Sequence, residues 1–108
     1  MFAHLIERFE TASRTYAGDN GIARDPDWFI LKLQEETGEV TQAWNRLTGR
    51  GRRKGLDEAA CRQALADELA DLLGHVFLLA GQQDIDLPAA IARKWRFHPE
   101  AETRAGIR

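Results

Sequence analysis

Two long runs of apolar residues at helical spacing constrain the fold of this chain more than any other feature. They span residues 26–47 and 56–81, and in each run the apolar positions recur every three or four residues. This is the period of an amphipathic helix, not the alternation of a half-buried strand. At about 1.5 Å per residue, both helices would be long rods of the kind that pack into a bundle.

The boundaries of the helices follow from residues that cap or interrupt them. Asp25-Pro26 and Asp86, followed by Pro88, are typical of a helix start, and the glycine-rich stretch 49–55 is typical of a loop. The sequence shows no strand pattern and no tandem repeat. It predicts one all-α domain over residues 1–108, a bundle of four to five helices. The predicted segments are helices over about 2–17, 26–47, 56–81 and 87–97, and a polar tail over 99–108.

Length and composition narrow the class of protein further. At 108 residues a single domain buries its apolar surface incompletely, so association with further copies is expected. The net charge of −2 indicates no overall attraction to nucleic acid or to an anionic membrane. A single cysteine, Cys61, excludes an intrachain disulfide framework and is expected in the core. No 18 apolar residues run together, which favours a cytoplasmic protein without a membrane span.

Acidic side chains lie on the apolar side of both long helices. With Glu36 at zero on a helical wheel, Glu39 lies about 60° away, at the edge of the apolar stripe. In the other long helix Glu68 lies on the stripe and Asp71 flanks it in the same way. The apolar residues within about 40° of Glu36 are Phe29, Val40 and Leu47.

Such carboxylates need a partner, because removing an ionised carboxylate from water is costly unless it is paired or bound to a cation. Four carboxylates without a cysteine or histidine ligand set favour a hard cation, Mg²⁺ or Mn²⁺. The alternative is ordinary helix ion pairing, for example between Lys32 and Glu36. Glu35 and Asp67 fall outside both stripes and are expected to be solvated or to support the ligands.

The two motifs Glu35-Glu36-x-x-Glu39 and Glu68-x-x-Asp71 resemble the MazG-like branch of the all-α NTP pyrophosphohydrolases, whose hallmark is EExxE followed by ExxD. The resemblance covers residues 28–94. It implies Mg²⁺ ligation by Glu36, Glu39, Glu68 and Asp71, and a helical bundle completed by formation of a homodimer or homotetramer. It also implies hydrolysis of a nucleoside triphosphate, often a non-standard or surplus one, to monophosphate and pyrophosphate. The basic loop 50–54 is not an expected feature of that family.

Further residues are candidates for catalysis and substrate binding. Glu36 or Glu39 would hold the attacking water, and Mg²⁺ would reverse the local negative charge and activate the water. His75 lies one turn after Asp71, where it could contact a base or sugar. Aromatic side chains could stack on a base. The candidates for phosphate contact are Lys32, Lys94, Arg96, Arg52, Arg53 and Lys54, and those for stacking are Trp28, Trp44, Trp95 and Phe9.

Two other functions are compatible with parts of the pattern. A di-iron carboxylate bundle also places acids inside long helices, but its Glu-x-x-His signature is absent because His75 lies seven residues after Glu68. A non-catalytic interaction module, with the loop 49–55 contacting nucleic-acid phosphates, would leave Glu36 and Glu68 unexplained. The sequence therefore favours the hydrolase.

Overall fold

The computed structural model describes residues 1–101 as four helices joined by short connections, with no strand among those residues. The prediction of an all-α fold is confirmed. The helices are α1 (Phe2–Asn20), α2 (Pro26–Leu47), α3 (Glu58–Gln82) and α4 (Leu87–Trp95). No helix among these residues has the length and apolar content needed to cross a membrane.

Aspartate side chains begin three of the helices, as the sequence suggests for two of them. The carboxylate of Asp25 accepts a hydrogen bond from the Trp28 N–H at 2.9 Å, and Asp86 accepts one from the Ala89 N–H at 3.1 Å. Asp57 does the same for α3. Each carboxylate satisfies an N–H group that has no partner inside its own helix.

Three helix ends differ from the predicted boundaries, each for a local reason. Helix α1 continues past residue 17 because the left-handed backbone that ends it belongs to Gly21, at φ 64°. Helix α3 starts two residues later than predicted because Asp57 is its cap. Helix α4 stops at Trp95, two residues early, because Arg96 has a left-handed conformation at φ 68°. Of the predicted tail, residues 102–108 lie outside the described part of the chain.

The packing is two helices thick. The molecule measures 43 × 42 × 21 Å, and its thinnest dimension equals about two helix diameters. Helices α2 and α3 pack along each other and α1 packs against α3, whereas α4 buries none of its residues. Phe77 lies at the centre of the core, where Phe9 stacks on it at 5.8 Å and Phe2 meets it edge-on at 5.2 Å. Cys61 is fully buried.

Two glycines of α3 allow α1 to approach closely. A Cβ atom added at Gly74 would lie 3.0 Å from the Phe9 ring, and one added at Gly81 would lie 2.8 Å from Cγ2 of Ile6. Both distances are shorter than ordinary van der Waals contact. The absence of side chains at these positions therefore sets the spacing between α1 and α3.

This spacing gives a prediction for Gly81. Alanine there is expected to lower the free energy of unfolding by about 1 kcal/mol, because a clash of about 1–3 kcal/mol exceeds the gain in helix propensity. Gly18→Ala is the control, since Gly18 lies in α1 with no atom within 4 Å of an added Cβ, and it should stabilise the protein by up to about 1 kcal/mol. Urea unfolding of both variants measures the difference. Equal stabilisation by the two alanines would contradict the close approach.

An ion pair between Arg24 and Glu10 links the segment that follows α1 to α1 itself. The Arg24 guanidinium donates to both carboxylate oxygens of Glu10 and also to Ser13, and it lies over the Phe29 ring at 5.1 Å. The hydrogen bond from Arg24 is the main reason that the pKa of Glu10 is lowered. Because the folded pKa is below the unfolded one, this pair stabilises the protein above about pH 4.5 and less as the pH falls.

Glu10→Gln is accordingly expected to destabilise the protein by about 1–2 kcal/mol at pH 7, because the charged hydrogen bonds to Arg24 are lost. The difference from the wild type should shrink as the pH falls below the usual glutamate pKa. Denaturant unfolding at pH 7, 5 and 3.5 measures this trend. A difference that does not change with pH would show that ionisation of Glu10 is not what stabilises the fold.

Candidate metal centre and the cleft beside it

Three carboxylates of the two acidic motifs converge between α2 and α3. One oxygen each from Glu36, Glu39 and Glu68 lies within 4.8 Å of the other two. The convergence follows from the packing of α2 along α3, which sets the apolar stripes of the two helices face to face with the acids between them. Glu36 is 7% exposed and is the buried charged residue of the described core.

The carboxylate oxygens at this site are poorly satisfied by the protein. Oε1 of Glu36 and Oε1 of Glu68 are buried and have no hydrogen-bond partner within residues 1–101. Burial raises the pKa of Glu36, and the charge of Asp71 raises it further. Burial also raises the pKa of Glu68, with the charges of Glu39 and Asp71 adding to the effect. Glu36 and Glu68 are thus neighbouring acids whose ionised forms are disfavoured by their surroundings, and such a pair calls for a compensating cation.

Lys32 compensates part of this charge, as the ion-pair interpretation expects. Its ammonium lies 3.7 Å from Oε2 of Glu36 and 3.2 Å from Oε1 of Glu35. This contact leaves the other oxygen of Glu36 unpartnered, and Glu39 and Glu68 form no ion pair within residues 1–101. Helix ion pairing therefore accounts for Glu35 but not for the cluster.

Asp71, the fourth predicted ligand, lies beside the cluster and not within it. It is exposed and falls outside the tight group of three carboxylates. Its charge is nevertheless the largest electrostatic influence on Glu36, and it lines the cleft that opens next to the cluster. The structure thus brings three predicted ligands together and places the fourth at the mouth of the site.

A cleft of about 400 Å³ adjoins the cluster on the side of the α2 amino terminus. Trp28 and His75 both line it and meet edge to face, with ring centroids 6.0 Å apart. Nδ1 of His75 is buried without a partner among the described residues, and burial together with the charge of Lys32 lowers the pKa of this imidazole. The cleft is lined by Phe9, Ala12, Ser13, Tyr16, Trp28, Lys32, Glu36, Ala70, Asp71, Gly74, His75 and Leu78.

Comparison with known protein families identifies the domain. The model of the MazG nucleotide pyrophosphohydrolase domain matches residues 24–96, which is more than half of the chain and includes both acidic motifs and the cleft residues of α2 and α3. The chain belongs to this family. No curated protein and no solved structure gives a significant match.

The donor set of this MazG domain fits a hard divalent cation. All three converging ligands are carboxylates, no cysteine or histidine is part of the group, and two of the oxygens have no other partner among residues 1–101. Mg²⁺ and Mn²⁺ prefer oxygen ligands, whereas zinc sites in proteins are usually built from cysteine and histidine. The residues that would hold the cation are Glu36, Glu39 and Glu68, with Asp71 next to them.

Other residues predicted to bind substrate do not reach this cleft in the single chain. Trp44 lies on α2 eight residues beyond Glu36, about 12 Å along the helix axis, and it does not line the cleft. Lys94 and Arg96 are exposed at the end of α4 and do not line the cleft. Trp95 is 75% exposed. The assignment of these residues to the substrate stays a prediction.

Helix α1 forms one wall of the cleft, and of its residues only Phe9 was predicted from the sequence to belong to the site. It comes from α1 and includes Ser13 and Tyr16, while Gly74 of α3 provides room for the Phe9 ring. Tyr16 follows Phe9 and Ala12 at helical spacing, which is equally typical of a core residue. The chain carries no local signal that separates a core-facing aromatic residue from a cleft-facing one.

Arg53, in the basic loop after α2, contacts the end of that helix. The guanidinium of Arg53 donates to the carbonyl oxygens of Arg46 at 3.0 Å and Leu47 at 2.8 Å. These are carbonyls at the end of α2 that have no partner inside the helix. Arg53 therefore caps α2, whereas Arg52 and Lys54 are exposed. The assignment of all three to the phosphates stays a prediction.

Proposed function

We propose that this MazG domain hydrolyses nucleoside triphosphates to a nucleoside monophosphate and pyrophosphate with Mg²⁺ as cofactor. Water would attack one of the two phosphorus atoms of the α–β phosphoanhydride, and the oxygen of water would stay on that phosphorus. The bond from that phosphorus to the bridging oxygen would break, and the bridging oxygen would leave with the other product. The proton of the water would pass to a carboxylate of the site. The observation that carries the proposal is the convergence of Glu36, Glu39 and Glu68, with unpartnered buried oxygens, beside a cleft lined with aromatic rings.

The acids alone would repel a triphosphate, so the cation is central to the proposal. The chemistry that Mg²⁺ supplies in a site of this kind is neutralisation of phosphate charge and activation of water. Glu36, Glu39 and Glu68 would hold it, and the charge of Asp71, which acts on Glu36, would add to the attraction for the cation. Mn²⁺ would fit the same oxygen ligands.

The charged side chains at the site would have two roles: carboxylates would orient the attacking water, and a lysine would contact a phosphate of the substrate. Glu36 or Glu39 would orient the attacking water and accept its proton, because both carboxylates lie within the cluster. Lys32 faces the cleft and already contacts Glu36, so its ammonium could turn to the phosphate next to the nucleoside. This cation would add to the stabilisation of charge in the transition state.

The aromatic part of the cleft supports binding of a base. The Trp28 ring offers an apolar face, and the imidazole of His75 lines the same cleft, where it would contact a base or sugar. Burial, and then the charge of Lys32, lowers the pKa of His75, which favours the neutral imidazole. We include surplus, deoxy and non-standard nucleotides in the proposed substrate range.

A nucleotide panel tests the function. The purified protein with Mg²⁺ is incubated with canonical, deoxy and modified triphosphates, and the products are separated by chromatography. We expect at least one triphosphate to give monophosphate and pyrophosphate in equal amounts, and no turnover when the divalent cation is chelated. Release of orthophosphate with a diphosphate as the other product would contradict the proposed bond cleavage.

The proposal includes assembly into a homodimer or homotetramer. The two-layer molecule leaves large apolar side chains exposed, among them Leu69 and Leu73, one turn apart on α3 at 50% and 51% exposure. α4 has no buried residue at all. A second copy that covers these side chains would provide the apolar burial that a chain of this length lacks on its own.

A further inference from the structure

The wall that α1 contributes to the cleft carries a hydroxyl group, that of Ser13, to which the proposed function assigns no role. Ser13 is half-buried and lines the cleft together with Trp28 and His75, the two residues proposed to contact the base. A hydroxyl group both donates and accepts hydrogen bonds. Which of the two it offers to the cleft therefore bears on which base the cleft accepts.

The Arg24 guanidinium makes the Ser13 hydroxyl an acceptor on one side. Nη1 of Arg24 donates to Oγ of Ser13 at 3.1 Å and to Oε1 of Glu10 at 3.1 Å. A guanidinium carries only N–H donors and has no acceptor, so the serine oxygen must accept in this contact. The proton of the hydroxyl is left for another partner.

The usual protein partner for such a proton is not used by Ser13. A serine or threonine inside a helix often donates to the carbonyl four residues earlier. Thr15, Thr37 and Thr41 do so, at 3.1, 2.9 and 3.2 Å. The Ser13 hydroxyl accepts from Arg24 but donates to no group within residues 1–101. Its proton is therefore available to a molecule in the cleft.

Arg24 is held in place by residues that stay outside the cleft. Its second terminal nitrogen donates to Glu10, its side chain is 14% exposed, and its guanidinium lies over the Phe29 ring at 5.1 Å. Arg24 and Glu10 line a separate cavity of about 240 Å³, which shares Leu78 with the cleft. The ion pair can therefore orient the Ser13 hydroxyl without touching a bound nucleotide.

We infer that Ser13 is a specificity-determining residue that donates a hydrogen bond to an acceptor on the edge of the base, and that Arg24 and Glu10 are its positioning residues. This inference rests on the proposed function and adds a determinant of its substrate. A base with a ring nitrogen or carbonyl oxygen at that edge is accepted. A base with N–H or C–H there is disfavoured, because the hydroxyl proton would be left without an acceptor.

The test uses the full chain with Mg²⁺ and measures binding by calorimetry. The probes are the common deoxynucleoside monophosphates and analogues in which one ring nitrogen or carbonyl acceptor of the base at a time is replaced by C–H. In the wild type, one such replacement is expected to weaken binding about five- to tenfold. S13A should bind the parent nucleotide about five- to tenfold more weakly and should no longer distinguish it from that analogue.

Thr15→Val is the matched control for S13A. Thr15 lies on the same helix, but its hydroxyl donates to the Thr11 carbonyl and it does not line the cleft. T15V should therefore bind the parent nucleotide and discriminate against the analogue as the wild type does. Circular dichroism verifies the fold of both variants.

Arg24→Lys tests the positioning role separately from the fold. Lysine keeps the charge that pairs with Glu10, but its single nitrogen cannot repeat the two-nitrogen contact with Glu10 and Ser13. R24K is expected to weaken binding of the parent nucleotide about threefold in the wild type and to have no further effect in S13A, because it acts through the Ser13 hydroxyl. An equal loss in both backgrounds would show that Arg24 has only a structural role and would overturn its assignment.

The outcomes separate this inference from the function on which it rests. If S13A discriminates between parent and analogue as the wild type does, or loses affinity equally for both, the inference is overturned while hydrolysis by the wild type stands. If the wild type hydrolyses no triphosphate but its choice of base still depends on Ser13, the function is rejected and the base contact is supported. A wild type that neither hydrolyses nor binds any of these nucleotides would overturn both.

Discussion

Glu36→Gln is expected to reduce Mg²⁺-dependent hydrolysis of the triphosphate by at least about a hundredfold, or about 2.7 kcal/mol in the activation barrier. The amide keeps the size of the side chain and loses the charge that a cation requires. Glu36 is the most buried of the three converging acids, and its Oε1 has no partner among residues 1–101, so a cation would gain most from this carboxylate. Asp71→Asn is expected to reduce hydrolysis strongly as well.

The same variant should have the opposite effect on stability without metal. Because burial raises the pKa of Glu36, the ionised carboxylate destabilises the metal-free fold at neutral pH, and glutamine removes that cost. The variant should then melt a few degrees higher than the wild type in a chelator, since about 1 kcal/mol corresponds to roughly 4–8 °C in a domain of this size. Added Mg²⁺ should raise the melting temperature of the wild type more than that of the variant.

Glu35→Gln provides the matched control for both measurements. Glu35 is the adjacent glutamate of the same motif, but it is exposed and pairs with Lys32 outside the cluster. We expect hydrolysis within about threefold of the wild type and an unchanged response to Mg²⁺, because exposed ion pairs contribute little. Full activity in both Glu36→Gln and Asp71→Asn would reject the assignment of the site.

The sequence predicted those features of the structure that depend on one helix alone. The apolar period located α2 and α3, and Asp25 and Asp86 located the starts of two helices, because a cap acts on the N–H groups three residues away. The position of Glu36 on an apolar stripe was likewise a property of α2 alone.

Features that depend on a second helix could not be predicted in this way. A helical wheel assigns Asp71 to the edge of the stripe but cannot tell how far the neighbouring helix covers that edge, and the structure leaves Asp71 exposed. The wall that α1 contributes to the cleft depends on the close approach at Gly74. The capping of α2 by Arg53 depends on how the loop folds back onto the helix, which the basic composition of that loop does not reveal.

The exposed apolar surface of α3 is a further feature that depends on more than one helix. It gives a prediction about the association of the chain with a second copy. Leu69→Glu combined with Leu73→Glu is expected to convert the assembled protein to monomers. Each leucine is already half covered by its own chain, so covering the rest contributes about 0.8–1.5 kcal/mol, and a buried carboxylate without a partner costs about 2 kcal/mol or more besides. The dissociation constant should therefore rise by at least about a thousandfold. Sedimentation velocity over a range of concentrations measures this change.

The control for this prediction places two glutamates where α2 already exposes polar side chains. Gln34→Glu combined with Thr41→Glu adds the same charge at exposed positions without removing an apolar group, so the assembly should persist. If both double variants remain assembled, the exposed leucines of α3 do not form the interface. If the wild type itself sediments as a monomer at all concentrations, the apolar surface of this domain is not covered by a second copy, and the assembly proposed from it is wrong.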